Sequence, residues 1–371
     1  MTLPLTIPPE LARRFLRCVH LLDQPAPNVA AAIAHHGYIQ IDPINVTGRM
    51  HDLILRNRVA NYREGDLIQH LHGDGDPFPP AHRTAFEHHL PDTGVLVAFP
   101  VSSWSHLLKA NADRSRRSGA WSGRLTPRER EIAKSVIAEV TARGPLRSAD
   151  FADERRARRV WGTMRLVKSV MQKLFFHGQL LIAGRSRDHH RLYDLPSRVL
   201  PRASLQSKAP SQPDTARWLV LTKLRQRRLV KLNRTELPLV EDLVRPVNVA
   251  GCPVLYCFRE DLPWFDKPVR EVEPTIESIL LAPLDPLIYD RRLTSDLWNF
   301  DYTWEAYTPP AKRRRGYYAL PVLAGTKLIG HVEPKADRSN RKLQIVTCSV
   351  RRGHPVKPAI NSLARWLGLT P

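Results

Sequence analysis

The sequence predicts an α+β protein with at least one winged-helix unit and a small β-barrel-like module in its last 80 or so residues. Three observations carry that expectation. Between 127 and 201, three helical stretches precede two short apolar runs around a basic tip, which is the order of a winged helix. Between 316 and 350, apolar residues alternate in short runs, the period of strands rather than helices. The 32 prolines are dispersed along the chain, which favours many short elements over long bundles.

The elements follow in order. Pro8, Pro9 and Glu10 open the first of two short helices over 8–36, with Leu11, Phe15, Val19 and Leu22 at helical spacing. Asn28 caps the second, and Gly37 stops it. Tyr38, Ile39, Gln40, Ile41 and Asp42 then alternate as a strand up to Pro43. Residues 46–58 read as helical, 64–72 as a short helix and 73–77 as a turn. The stretch 83–108 carries Phe86, Glu87, His88 and His89 before an apolar run to Phe99. Residues 109–130, with Lys109, Arg114, Arg116, Arg117 and Arg124, read as a basic connector.

Thr126 and Pro127 open a helix over 127–142, and 146–151 enters a second, short one. A third, over 163–177, places Met164, Val167, Met171, Leu174 and Phe175 on one face. Arg165, Lys168, Ser169, Gln172 and Lys173 fall on the other, and Gly178 ends the helix. Strands at 180–184 and 192–195 flank the tip Arg185-Ser186-Arg187-Asp188-His189-His190-Arg191. A polar helix beside a charged wing is how such folds hold a duplex, although winged helices also mediate protein contacts. Beyond a linker at 202–213 come a helix over 214–229, an irregular strand-like segment over 247–273, the alternating runs and a helix over 357–367.

Charge narrows the partner. The chain has 57 Lys plus Arg against 36 Asp plus Glu, a net +21, so a polyanion is the default partner, nucleic acid ahead of an acidic membrane. A 42% hydrophobic and 25% charged composition excludes wholesale disorder. No apolar run approaches the roughly 18–20 residues of a membrane span, and the first residues lack a secretory pattern, which points to the cytoplasm. Of four cysteines only Cys252 and Cys257 are close in sequence. Without a second close pair, a structural metal is not expected.

Two stretches resemble the AlkZ/YcaQ-type bacterial DNA glycosylases, a family built from tandem winged helices. One is Gly37-Tyr38-Ile39-Gln40-Ile41-Asp42-Pro43-Ile44-Asn45-Val46, continuing through Arg49-Met50-His51-Asp52-Leu53 and Arg56-Asn57-Arg58. Members carry Gln-apolar-Gln or Gln-apolar-Asp here, and Gln40-Ile41-Asp42 has the second form, as the YcaQ branch does. The other begins Leu281-Ala282-Pro283-Leu284-Asp285-Pro286 and runs through Trp304-Glu305-Ala306-Tyr307 to Leu323. The unit at 161–201 is similar too, in Tyr193-Asp194-Leu195-Pro196 and Val199-Leu200-Pro201. Phe86-Glu87-His88-His89 departs from the aromatic-rich run that relatives have there, which leaves groove contacts from this segment open.

The resemblance implies tandem winged helices in a C-shaped arrangement. Its modules would be 1–125 with the Gln-x-Asp strand, 126–202, 203–290 with connections, and the β-rich 291–371. It also implies a monofunctional glycosylase of base excision repair that hydrolyses the N-glycosidic bond of N7-alkylguanine and unhooks interstrand crosslinks. Its partner would be double-stranded DNA with alkylated or crosslinked guanine, bound by a monomer in the bacterial cytoplasm and nucleoid-associated when on DNA. No membrane, metal or cofactor takes part. The alternative is a non-catalytic winged-helix transcriptional regulator, which fold alone does not separate from an enzyme.

The chemistry assigns the candidate residues. Alkylation at N7 makes the purine a cationic leaving group, so the reaction needs a carboxylate near the sugar more than a general acid. Residues i and i+2 of a strand share a face. In the strand reading Gln40 orients a water, while Asp42 activates it and stabilises the oxocarbenium. The competing reading of Asp42 is a turn cap before Pro43. No lysine lies between Gly37 and Asn57, so no local Schiff-base nucleophile is indicated. Candidate DNA contacts are Arg49, His51, Arg56 and Arg58 after the strand, and Arg165, Lys168, Arg185 and Arg187 on the helix and wing. The dense cluster Lys312, Arg313, Arg314 and Arg315, with Arg291, Arg292, Lys335 and Arg338, completes them. His51 reads equally as a site residue or a structural one.

Overall fold

In the computed structural model, the chain folds as two units, each assembled from separated stretches of sequence: Met1–His36, Asp42–Asp66 and Ala216–Pro371 in one, Gly37–Ile41 and Leu67–Thr215 in the other. The structure describes residues 3–74, 78–91, 93–152, 155–159, 162–186, 190–266 and 278–371. Arg187 and its neighbours at 188–189, the turn residues 75–77, and 267–273 of the strand-like segment lie outside the described residues.

In the first unit, helix Pro9–Val19 buries Ala12, Phe15, Leu16 and Val19, the stripe its spacing predicts. Phe15 stacks on Phe265 with ring centroids 4.0 Å apart. Strand Leu5–Ile7 pairs parallel with Val244–Val249, which pairs antiparallel with Leu255–Phe258. Ile7, Phe15, Val247, Leu255 and Trp298 share one core.

A second core lies on a four-stranded antiparallel sheet ordered Ile279–Leu280, Leu320–Ala324, Lys327–Asp337, Lys342–Val350. This corrects the barrel-like expectation: among the described residues the sheet does not close, and its outermost strands are Ile279–Leu280 and Lys342–Val350. Met50, Leu53 and Ile54 from helix Met50–Leu55 and Leu363 and Ala364 from helix Lys357–Trp366 share the core with Leu320, Val322 and Val332. Helices cover the apolar surface of the sheet, so burying it does not require closure.

In the second unit, Ile39–Gln40, Leu96–Pro100 and Ala85–His89 form an antiparallel sheet in that order. The first part of the expected basic connector, 109–116, belongs to helix Trp104–Arg116, while 117–126 are non-helical, as a connector would be. Trp104, Leu107, Asn111 and Arg114 form the buried stripe of the helix. Arg114 donates to the carbonyls of Leu90 and Pro91 at 3.2 and 2.6 Å and lies 5.0 Å over the Phe176 ring. A buried arginine thus completes an amphipathic pattern that its charge conceals.

Helix Pro127–Arg143 begins with a capping box between Thr126 and Glu129. The expected short second helix is a single 3-10 turn, Ser148–Asp150. A hairpin of Arg156–Arg159 with Gly162–Arg165 follows, then helix Leu166–Phe176 and the hairpin Leu181–Arg185 with Arg191–Asp194. The polar face of the Leu166–Phe176 helix is only partly solvated. Ser169 and Lys173 are buried, and Lys173 Nζ donates to Glu129 Oε2 at 2.7 Å and to the Arg124 carbonyl at 3.2 Å. The expected linker contains helix Arg202–Gln206, and the next helix spans Gln212–Arg227. Among the described residues, no helix is long and apolar enough to cross a membrane.

Candidate active site

The strand carrying the Gln-Ile-Asp triplet is short. Its regular part is Ile39–Gln40, with Gln40 opposite Val97, and pairing extends to the Ile41 amide, which donates to the Leu96 carbonyl at 2.9 Å. Gln40 is buried and belongs to the second unit. Asp42 lies past the end of the strand, in the first unit.

Asp42 sits in an Asx turn over Pro43, its Oδ1 accepting the Ile44 amide at 2.9 Å. The bond fixes the orientation of the carboxylate and occupies one of its oxygens. Half-burial pushes the Asp42 carboxyl above its ordinary 3.8, outweighing the opposing effect of the Ile44 amide. A carboxylate with a raised pKa is a stronger base once ionised.

An aromatic group of the same unit packs with the segment that follows Asp42: Ile44, Val46, Trp304 and Tyr317 lie against one core. Tyr318 is fully buried and donates its hydroxyl to the Gly48 carbonyl at 3.3 Å. Burial and then the Asp42 charge raise the Tyr318 hydroxyl, and the same two causes raise that of Tyr307. Trp304 meets Tyr318 edge to face at 6.1 Å and Tyr307 at 5.8 Å.

Beside these rings runs the basic loop 312–315, held by two buried acids. The Glu305 carboxylate accepts the backbone amides of Arg314, Arg315 and Gly316 at 2.8–3.2 Å. Glu333 Oε1 accepts those of Tyr317 and Tyr318 at 2.6 and 3.2 Å. Gly316 has φ +120°, and a Cβ there would collide with the Glu333 carboxylate, so the loop needs glycine. Acceptors for five consecutive amides give a cationic loop a fixed shape.

The other candidate contacts divide by exposure. Lys312, Arg314, Arg292, Lys335 and Lys168 are exposed, and Arg49 is partly so. Arg338 is exposed and bonded to Glu64 at 2.6 Å. Arg313 donates to the Thr308 carbonyl at 2.9 Å and lies over the Tyr317 ring, and Arg315 donates to the Asp301 carbonyl. Arg56 lies 5.2 Å over Trp366, Arg165 donates to the Phe151 carbonyl, and Arg291 donates to the carbonyls of Ile288 and Pro283.

Arg58 is fully buried, bonded to Asp285 through its two terminal guanidinium nitrogens at 2.9 and 2.6 Å. That burial removes it from the residues able to meet a phosphate. His51 is buried as well, 3.6 Å from Asp52. Asp52 itself accepts the Tyr62 hydroxyl at 2.6 Å and the Gly65 amide at 3.1 Å.

In the second unit, Arg185 pairs with the buried Glu87, which also accepts from His72 at 2.7 Å. Burial would raise the Glu87 carboxyl, but Arg185 and His72 hold it far below its ordinary range. The departing segment Phe86-Glu87-His88-His89 is wholly buried strand. His88 Nε2 lies 3.0 Å from the Phe175 carbonyl, and His89 stacks on Phe176 at 3.8 Å. Burial pushes both imidazoles down. The segment therefore packs the interior and does not face a groove.

Sequence reasoning alone does not single out Trp304, Tyr307, Tyr318, Glu305 and Glu333 as site residues. Four of the five lie within the long C-terminal motif, and the density of aromatic and acidic residues around its basic run is the available signal.

The fold is similar to that of the Streptomyces sahachiroi DNA glycosylase AlkZ, with a TM-score of 0.61 over 99% of this chain and 98% of that one. At 16% identity the likeness is one of fold. A family model described as DNA glycosylase AlkZ-like matches residues 33–366. The chain belongs to the AlkZ-like DNA glycosylase family, as the resemblance of its two motifs implied.

Proposed function

We propose that this chain is a monofunctional DNA glycosylase that hydrolyses the N-glycosidic bond of N7-alkylguanine in duplex DNA, including guanines joined in interstrand crosslinks. The observation that carries the reading is Asp42, a half-buried carboxylate fixed by the Ile44 amide and raised in pKa by burial, in the same unit as an aromatic group and a cationic loop held by Glu305.

The bond between C1′ and N9 breaks, and its electron pair neutralises the cationic purine, which leaves. The Asp42 carboxylate stabilises the positive charge on the sugar. It then takes a proton from the water that adds to C1′, leaving an abasic site. The Gln40 amide, both donor and acceptor, is the group proposed to orient that water. The absence of lysine between 37 and 57 favours hydrolysis over a lyase step. Exposed Lys312, Arg314, Arg292, Lys335 and Lys168 are the proposed phosphate contacts. The protein would act as a monomer, without a metal or cofactor, on DNA in the bacterial cytoplasm.

The test is base release from a duplex carrying a single N7-methylguanine. The wild type should release it and Asp42→Asn should not, with DNA binding retained in both. A wild type that binds this duplex and releases nothing would restore the regulator reading. Release of the monoadduct without unhooking of a crosslinked duplex would reject the crosslink part alone.

A further inference from the structure

We propose that Tyr307 recognises the charge of the damaged base, its ring stacking on the cationic purine next to Asp42. The inference rests on the glycosylase reading and goes beyond it, because it names the group that separates N7-alkylguanine from normal guanine.

Tyr307 is 82% exposed. It and Trp121 are the strongly exposed aromatic side chains among the described residues, and Trp121 already packs against Phe176 at 4.6 Å. Exposure of Tyr307 does not come from a loose segment. The Thr308 amide donates to the Glu305 carbonyl at 3.0 Å, and Arg313 Nε donates to the Thr308 carbonyl at 2.9 Å. Trp304 supports the ring edge to face, with an interplanar angle of 71°. The backbone beside the ring is thus fixed and Trp304 supports one side of the ring, while most of the residue stays exposed, so stacking would cost less ordering entropy than on a loose segment.

Its neighbours specify the ligand. Trp304, which supports Tyr307, packs with Ile44 and Val46 against one core, and Tyr318, which also meets Trp304, donates to the Gly48 carbonyl, so the segment that follows Asp42 reaches this aromatic group. The Asp42 charge acts on the Tyr307 hydroxyl in the same sense. A flat cation suits that pair through its attraction to the ring quadrupole and to the carboxylate. An N7-alkylated purine is a flat cation, and an unmodified purine has the same shape without the charge. In a chain of net charge +21, the cationic loop suits phosphate, and the Asp42–Tyr307 pair suits a positive base.

The experiment measures equilibrium binding by the full-length wild type, Tyr307→Phe and Tyr307→Ala. One duplex carries N7-methylguanine on a 2′-fluoro sugar, where the electron-withdrawing fluorine opposes oxocarbenium formation and keeps the base attached. The other carries guanine at that position. The wild type should prefer the lesion, Tyr307→Phe should keep that preference within about twofold, and Tyr307→Ala should lose about tenfold of it. Binding to the guanine duplex should not change. The proposal is overturned if Tyr307→Ala keeps the full preference, or if it loses affinity equally for both duplexes. Release of N7-methylguanine from an ordinary sugar by the wild type is followed in parallel. Normal release with an unmoved preference in Tyr307→Ala rejects the tyrosine proposal alone, and no release by the wild type rejects the glycosylase reading.

Discussion

Asp42→Asn separates the two readings of this residue because the substitution keeps the turn and removes the charge. The side-chain carbonyl of the variant can still accept the Ile44 amide, which lies 2.9 Å from Asp42 Oδ1 in the wild type. If Asp42 only shapes the turn, activity should survive. If it stabilises the oxocarbenium and takes the proton from water, release should fall by about 10²–10⁴, or roughly 2.7–5.4 kcal/mol of barrier.

Stability should move the other way. The Asp42 carboxyl is raised in the folded protein, mainly by burial. The folded state therefore binds more protons than the unfolded chain between the ordinary 3.8 and the raised value. Stability falls as pH rises through that window and stays reduced above it. The amide variant escapes this loss, so at pH 7 it should be at least as stable as the wild type, with the difference vanishing at acid pH. Urea denaturation at two pH values and single-turnover release of N7-methylguanine measure both effects. Release within a factor of about three of wild type would refute the catalytic argument. Wild-type kcat/KM should also rise with pH through the raised Asp42 value and then level off, since the ionised form is the base.

Further expectations concern the supports of the site. Arg58→Ala leaves the buried Asp285 carboxylate without its guanidinium and should cost about 3–5 kcal/mol by chemical denaturation; a change confined to DNA affinity would contradict the structural role. Glu305→Ala removes the acceptor of three loop amides and should cost about 2–4 kcal/mol while weakening DNA binding, whereas unchanged unfolding and binding would show that the loop keeps its shape without it. The Lys312→Ala/Arg314→Ala double variant should lower the salt dependence of DNA binding by about 0.9 for each phosphate no longer neutralised, and an unchanged slope would remove both from the interface.

Local patterns carry much of the fold. The stripe of Pro9–Val19, the capping box of Pro127–Arg143 and the alternation before Leu320–Ala324 are short-range signals, and the elements form where they stand. The two motifs carry the family. What fails is the assignment of polar residues to solvent. In sequence Arg114 belongs to a basic connector, yet it is buried over Phe176. In sequence Lys173 belongs to a polar helix face, yet it is buried on Glu129, 44 positions away.

By itself, then, the sequence determined the family, the position of the Gln-Ile-Asp triplet, the cationic character of the chain and most helices, because these are written in composition and in spacings of a few residues. Only the tertiary structure decided which charges are available. Arg58 lost its place beside phosphate to Asp285, 227 positions away, and among the described residues the barrel-like module proved to be an unclosed sheet covered by helices. It also brought Tyr307 and Tyr318 within reach of the Asp42 charge. A charge is buried or exposed according to the partner that meets it, and that partner is supplied by chain folding back from tens to hundreds of residues away.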